Sequence, residues 1–189
     1  CGVFPSTKVS PRRDYHAALA GCPPETSVCV LAGAGSMVCS WYLGDVVKSG
    51  GGGPWFGDHG SAYGIVRESI SEIVTRSAEN RIWATTNSDG VRSHFVGELS
   101  ILFNATDFDD VISKIYRRKE SPATLAAFAP SIVRDFMEGI PYAEFSIGTE
   151  MSTLVDTVRW HLCAYHQFIS KPVVALVGGV WEISSKIEE

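Results

Sequence analysis

The chain has 189 residues, of which 45% are hydrophobic and 20% are charged, a composition typical of a globular protein with one or two domains. The formal net charge of −5 argues against a surface for nucleic acid or anionic lipid. Apolar runs stay short of the roughly 18 residues that a membrane-spanning helix needs, and the first residues lack the pattern of a signal peptide. The five cysteines lack metal-ligand spacing and most of them are expected to be small buried thiols, with the cytoplasm as the expected location.

The first part of the chain is predicted to contain a short helix and three strands. Residues 1–13 show no apolar periodicity and are predicted to form a loop or tail. A helix is predicted to begin at Asp14, as its N-cap, and to end just before Gly21. A nearly unbroken apolar run then predicts a strand buried on both faces, and two later runs around a Gly-Asp turn predict a hairpin. The three predicted strands cover residues 26–32, 37–42 and 46–48.

The rest of the chain is predicted to be mostly helical, with one more strand near its end. Apolar side chains recur at helical spacing, and Pro130 suits the first turn of a helix because its missing N–H is not needed there. Lys171-Pro172 breaks the longest helical pattern, and a buried strand is predicted at 173–177. The predicted helices cover residues 61–77, 91–102, 108–116, 122–128, 130–139 and 143–170, and another starts at 180.

Two glycine-rich segments stand between these elements. The first is Ala32-Gly33-Ala34-Gly35-Ser36, after the first strand, and the second runs from Gly50 to Ser61 as GGGGPWFGDHGS. Glycine permits positive φ and a close approach of a ligand to main-chain N–H groups, and a helix N-terminus adds to their field, so phosphate is the expected ligand. Plain hairpin tips are the alternative for either segment. Gly178-Gly179 follows the last strand, so we expect this turn and the first segment at the same edge of an α/β sheet.

The order of these motifs resembles that of a known family. The motifs Asp-x-x-x-Ala-Leu, AGAGS, GGGGPWFGDHGSAYGI and VALVGGVW are similar to those of N-acetylglucosamine kinases and of the wider BadF-type ATPases, within the sugar kinase, Hsp70 and actin superfamily. The resemblance runs from Asp14 to Trp181 and is most specific in residues 14–66. It implies an α/β fold in which residues 14–189 form a ribonuclease-H-like C-terminal kinase lobe, a mixed sheet with a helical insertion. The family's N-terminal lobe is expected to be missing from this chain.

The resemblance also implies a function and a set of site residues. The expected activity is phosphorylation of an amino sugar by ATP with Mg²⁺, and Asp14 matches the catalytic aspartate that takes the proton from the attacking hydroxyl. The positions that match nucleotide contacts are Gly33, Ala34, Gly35, Ser36, Gly178 and Gly179, and those assigned to the sugar are Gly51, Gly52 and Asp58. No metal ligand is assigned to this chain, a homodimer is left open, and neither nucleic acid nor membrane is an expected partner.

The residues themselves leave other interpretations open. Asp14 and Asp58 suit simple helix caps, and His59 suits a structural role. The chain also departs from the family pattern, which usually has asparagine in place of Met37, often tryptophan in place of Gly52, and often glutamate in place of His59.

Two alternative functions follow from these departures and from the wider family. One is a non-catalytic remnant that binds a sugar or a nucleotide, or serves as an interaction module. The other is an ATPase activator of a 2-hydroxyacyl-CoA dehydratase, whose cysteines would hold an iron–sulfur cluster. The second is ranked last because no cysteine is placed beside the glycine turns as those enzymes require.

Overall fold

A computed structural model describes residues 13–76 and 78–184, and within them a mixed sheet of four strands in the order β3-β2-β1-β4. The first three strands form an antiparallel meander, and β4 pairs in parallel with β1. The predicted hairpin is confirmed: the turn from β2 to β3 passes through Leu43 and Gly44, both at positive φ. The strands are β1 (Val28–Ala32), β2 (Ser36–Tyr42), β3 (Asp45–Ser49) and β4 (Val174–Val177).

A group of helices connects β3 to β4, and the predicted helical insertion in a mixed sheet is therefore confirmed. The helix at 78–84 was not predicted, and the longest helix ends at Tyr165 rather than at 170, because His166 leaves the helical conformation. The predicted loop at 1–12 lies outside the described residues. The helices are α1 (Asp14–Ala20), α2 (Ala62–Thr75), α3 (Ala78–Ala84), α4 (His94–Phe103), α5 (Phe108–Arg118), α6 (Pro122–Ala126), α7 (Ala129–Met137), α8 (Pro141–Tyr165) and α9 (Gly179–Ser184).

The sheet has a different covering on each face. On one face, Val28, Val30 and Val38 pack against Leu154 of α8. On the other face, Cys29 and Cys39, which are register partners, pack against Leu19 of α1. The largest core lies within the helical part, where α2, α4 and α7 bury apolar side chains together with the start of α8. Burial of these apolar faces stabilises the insertion against the sheet.

Two expectations for individual elements are wrong. The strand at Val174–Val177 is not buried: it is the edge strand β4, and Leu176 is 56% exposed. Asp14 is not an N-cap, because Arg13 holds the extended cap position and Asp14 is the first helical residue. The Asp14 carboxylate instead accepts a hydrogen bond from the neighbouring backbone N–H of Tyr15 at 2.9 Å. A carboxylate at this position still favours the helix, because it faces the positive end of the helix dipole.

Among the described helices, none combines the length and the apolar character that a crossing of the bilayer demands.

The thiols of Cys29 and Cys39 are buried, whereas Cys163 is exposed. A hydrogen bond to Cys39, and then burial, raise the pKa of Cys29, while the same hydrogen bond lowers that of Cys39. The expectation of small buried thiols therefore holds for the two strand cysteines and not for Cys163.

A buried histidine joins α8 to the β2–β3 hairpin. The Nε2 atom of His161 lies 2.8 Å from Ser40 Oγ on β2, and its Nδ1 atom lies 2.9 Å from Ser49 Oγ on β3. His166 Nε2 is also 2.8 Å from Ser40 Oγ. Burial, and then the nearby His166, lower the pKa of His161 from the ordinary value of 6.5 to about 4.

Acid is therefore expected to destabilise the fold through His161. Because the folded pKa is depressed, protons bind the unfolded chain first, so the stability is complete above pH 6.5 and is lost as the pH falls towards 4. The slope of this component is at most about 1.4 kcal/mol per pH unit. Urea unfolding between pH 7 and pH 4.5 measures it: His161→Gln should remove the component, and His94→Gln should keep it. An identical pH dependence of the wild type and His161→Gln would contradict the assignment.

Candidate functional site

The first glycine-rich segment and Gly178 meet at one end of the sheet, as expected from the parallel pairing of β1 and β4. Leu31 pairs with Val177, so the two strands end side by side. Gly178 has φ +117°, and a Cβ on it would overlap the Ala32 carbonyl group. Only glycine therefore allows the chain to leave β4 at this point. Gly179 begins α9, and the space beside its Cα is open.

The turn between β1 and β2 is hydrogen-bonded to the start of α2. Its backbone closes through a hydrogen bond from Gly33 N–H to the Gly35 carbonyl at 2.9 Å. The carbonyls of Gly33 and Ala34 accept from the N–H groups of Ala62 at 2.8 Å and of Tyr63 at 3.4 Å. The first two N–H groups of α2 are therefore bonded to the turn, and α2 can act on an anion there only through its helix dipole.

The second segment folds into a loop that needs glycine. Gly50, Gly51, Gly52 and Gly53 all have positive φ, between 69° and 96°. A Cβ on Gly57 would overlap the Gly51 carbonyl, so the loop closes on itself through two glycines. The loop conformation therefore depends on glycine at these positions.

The structure brings the two glycine-rich segments into contact through Asp58. This residue has φ +56°, and a Cβ on Gly35 would lie 2.8 Å from its Oδ2 atom, so the carboxylate rests directly on the first turn. Ser36 Oγ donates to the His59 carbonyl at 2.6 Å, which fixes the same contact. The alternative that Asp58 caps α2 is wrong, because the side chain of Ser61 accepts from Gly64 N–H at 3.0 Å and is the cap.

A small cavity lies where the segments meet. Its volume is about 20 Å³, enough for one water molecule. The space is smaller than a sugar, so a larger ligand would lie at its mouth. The residues that line it are Ser36, Met37, Val38, Gly50, Gly51, Asp58, His59, Leu154 and Thr157.

A buried charge pair supports the second glycine-rich segment, and the sequence pattern did not reveal it. Glu150 of α8 is 2% exposed and accepts from Gly60 N–H at 2.7 Å and from Arg67 Nη2 at 3.2 Å. Arg67 Nη1 donates in turn to the Pro54 carbonyl at 3.0 Å. The available signal was a glutamate on the apolar face of α8, four residues before the buried Leu154.

Asp14 and Gly52 take no part in the contacts between the two glycine-rich segments. Asp14 is exposed at the start of α1, on the sheet face opposite α8, and in the described part of the chain no hydrogen bond joins it to a glycine-rich segment. Gly52 is exposed at the loop tip, where its nearest neighbours are the backbone atoms of Phe56 and Gly57.

A group of metal-binding residue types lies elsewhere, within the helical part. Ligand atoms of His94, Asp135 and Glu138 all lie within 4.8 Å of one another, and in residues 13–76 and 78–184 no comparable group lies at the glycine turns. Asp135 is already occupied as an anchor for α4: it accepts from His94 N–H at 2.7 Å, Phe95 N–H at 3.3 Å, and the hydroxyls of Ser93 and Tyr142.

Comparison with known proteins agrees with this architecture. The solved structure of a proposed N-acetylglucosamine kinase from Chromobacterium violaceum has a TM-score of 0.60 and 17% sequence identity, over 83% of this chain and 49% of that one. A proposed N-acetylglucosamine kinase from Porphyromonas gingivalis has a TM-score of 0.61 and 17% identity, over 90% of this chain and 52% of that one. The chain spans about half the length of these structures, and at this identity the likeness shows the fold alone.

The fold is that of the sugar kinases and actin-like ATPases, as the sequence motifs imply. Among curated proteins, none matches the chain. The sequence model of the BadF/BadG/BcrA/BcrD ATPase family matches residues 10–188, nearly the whole chain. The chain therefore belongs to the BadF/BadG/BcrA/BcrD ATPase family.

Proposed function

We propose that this chain forms the C-terminal lobe, residues 14–189, of an ATP-dependent kinase that phosphorylates an amino sugar. The observation that carries the proposal is the contact between Asp58 and Gly35, which joins the segment proposed for the sugar to the segment proposed for the nucleotide. Phosphoryl transfer depends on positioning and on charge stabilisation more than on covalent help from the protein. A sugar-binding segment that contacts the nucleotide-binding segment would place the two substrates next to each other, as this reaction requires.

The first turn has the properties of a phosphate-binding backbone. Ala34 and Gly35 are exposed, and within the described part of the chain their N–H groups have no hydrogen-bond acceptor. The space beside the Gly33 Cα is open, as it is beside Gly179. ATP supplies the phosphoryl group, and we assign its phosphates to the N–H groups of this turn and to the neighbouring Gly178-Gly179 turn.

The charge of Asp58 decides which ligand it faces. An ionised carboxylate can only accept hydrogen bonds, so it pairs with the hydroxyl groups of a sugar and not with the oxygens of a phosphate. We therefore assign Asp58, with Gly51 and Gly52 of the same loop, to the sugar. Asp14 is proposed as the general base at the attacking hydroxyl, and its support is the family resemblance.

Mg²⁺ accompanies ATP in enzymes of this chemistry. At the glycine-rich segments, the described residues offer the single carboxylate of Asp58 and no cluster of ligands. The proposal therefore assigns the metal to no residue of this chain. The cytoplasmic location, the homodimer and the absence of nucleic-acid or membrane partners stay predictions.

Asp58→Asn is expected to weaken sugar use selectively. In the full-length protein, the KM for N-acetylglucosamine should rise about 10- to 100-fold, because the variant loses a charged hydrogen-bond acceptor, while the KM for ATP stays within about twofold. Steady-state formation of ADP with varied sugar and varied ATP measures both constants. Asp89→Asn is the matched control, because Asp89 is an exposed aspartate in the turn before α4.

The outcomes separate the candidate functions. A full-length protein that binds neither ATP nor an amino sugar would overturn the proposal. Sugar binding without turnover would favour the second candidate, a non-catalytic sugar-binding member of the family. The position of Asp14, exposed on the sheet face opposite α8, is the observation that favours this second candidate.

A further inference from the structure

His59 lies at the outer end of the buried charge pair that supports the glycine loop. Its Nδ1 atom is 3.5 Å from Glu150 Oε1 and 3.5 Å from Arg67 Nη2. Glu150 is 2% exposed, whereas the side chain of His59 is 42% exposed. The imidazole therefore lies between a buried carboxylate and solvent.

The two ring nitrogens of His59 are in different situations. Nδ1 lies 3.5 Å from both the Glu150 carboxylate and the Arg67 guanidinium, and of these two groups Arg67 makes the hydrogen bond. Within residues 13–76 and 78–184, Nε2 makes no hydrogen bond. A hydrogen bond to one ring nitrogen of a histidine restricts the orientation of the other nitrogen, as in catalytic and metal-binding histidines.

His59 lies beside the residues that are proposed to bind the sugar. His59 follows Asp58 in the loop, and both residues line the small cavity against Ser36 and Gly51. The His59 backbone is fixed as well, since its carbonyl accepts the Ser36 hydroxyl at 2.6 Å. The charged groups around the imidazole are Glu150 from α8, Arg67 from α2 and Asp58 beside it in the loop.

We propose that His59 is a second sugar-binding residue. Its Nδ1 is placed by Arg67 and Glu150, and its Nε2 hydrogen-bonds a sugar hydroxyl adjacent to the hydroxyl that donates to Asp58. The sugar would then have to present two neighbouring polar groups to the loop. The pair Asp58-His59 would therefore determine which sugars are accepted as substrates. This inference rests on the proposed function, because it takes the loop to be the sugar site. It differs from a purely structural role for His59, in which the imidazole would only fill space beside Arg67.

Calorimetric titration of the full-length protein with N-acetylglucosamine tests the proposal. His59→Ala should raise the Kd for the sugar about tenfold, the usual effect of losing one well-placed hydrogen bond, and should leave the Kd for ATP within about twofold. His59→Gln keeps a polar group at this position and should recover part of the loss. His94→Gln is the matched control, because His94 is a partly exposed histidine whose Nε2 contacts the Glu138 carboxylate at 3.0 Å. The control should bind as the wild type does.

Deoxy analogues identify the contact itself. Analogues of N-acetylglucosamine that lack one hydroxyl at a time should each weaken binding to the wild type, and for one of them the loss should disappear in His59→Ala. This non-additivity is the signature of a direct contact between the residue and that hydroxyl. A residue that acts only through loop structure would weaken every analogue by the same factor.

Each outcome bears on the proposal. Unchanged sugar affinity in His59→Ala, or equal losses for all analogues in wild type and variant, would overturn it while the proposed function stands. Thermal unfolding of the variants provides the structural check: if both His59→Ala and His59→Gln unfold far below the wild type, the residue is structural and the inference is wrong. A wild-type protein that binds no amino sugar would instead remove the proposed function itself.

Discussion

Replacing Glu150 with alanine is expected to lower the free energy of unfolding by about 2–3 kcal/mol, since it removes a buried carboxylate that accepts two hydrogen bonds. The Gly60 N–H would lose its acceptor at 2.7 Å, and Arg67 Nη2 would lose the carboxylate at 3.2 Å. Arg67 is 31% exposed, so water compensates for part of the second loss. Urea unfolding followed by circular dichroism measures the change.

Glu144→Ala is the matched control on the same helix. Glu144 is an exposed glutamate in the first turn of α8, where its favourable interaction with the helix dipole is worth about 0.5 kcal/mol. The two substitutions remove the same side chain and differ only in burial and partners. Equal losses of stability in the two variants would show that the Glu150 pair does not hold the loop.

Gly178→Ala is expected to cost about 2–4 kcal/mol of folding stability. The residue has φ +117°, which an L side chain rarely adopts, and its new Cβ would overlap the backbone of Ala32. Relief requires the end of β4 to move away from β1, which breaks the parallel pair at the edge where the nucleotide is proposed to bind. The variant should therefore lose ATP affinity as well as thermal stability.

Gly97→Ala separates this clash from a general effect of glycine replacement. Gly97 lies within α4, and the space beside its Cα is open. Alanine there should raise stability by up to about 1 kcal/mol, because it favours the helix. If Gly178→Ala proved as harmless as Gly97→Ala, the close approach of Gly178 to Ala32 would be refuted.

Local pattern was sufficient for most elements of the fold. Apolar runs and the Gly-Asp turn predicted the hairpin, and Pro130 marked the start of α7, where it lies in the first turn. The strand at Val174–Val177 was predicted but wrongly placed in the interior, because a short apolar run cannot tell a covered strand from an edge strand. Only the sheet order, with β4 outside β1, decides its exposure.

The candidate site was predictable in its parts and not in its connections. The two glycine-rich segments were found, since glycine at positive φ leaves a clear sequence signal, and their contact through Asp58 required the fold. Glu150 was missed because helical periodicity weighs apolar positions, and a single charged residue on that face looks like an interruption. The bonding of the first turn to Ala62 and Tyr63 was equally invisible, because those backbone groups carry no sequence information.

The two polar anchors of α8 have a consequence for how the protein unfolds. Glu150 fixes the helix to the glycine loop, and His161 fixes it to Ser40 and Ser49 of the hairpin. The anchors are separated by about three helical turns, or roughly 16 Å along the axis. The part of α8 between the two anchors cannot then open without exposing a buried polar group that loses its partner. The loop, the helix and the hairpin therefore form one cooperative unit, whose backbone amides become open to hydrogen exchange together rather than one element at a time.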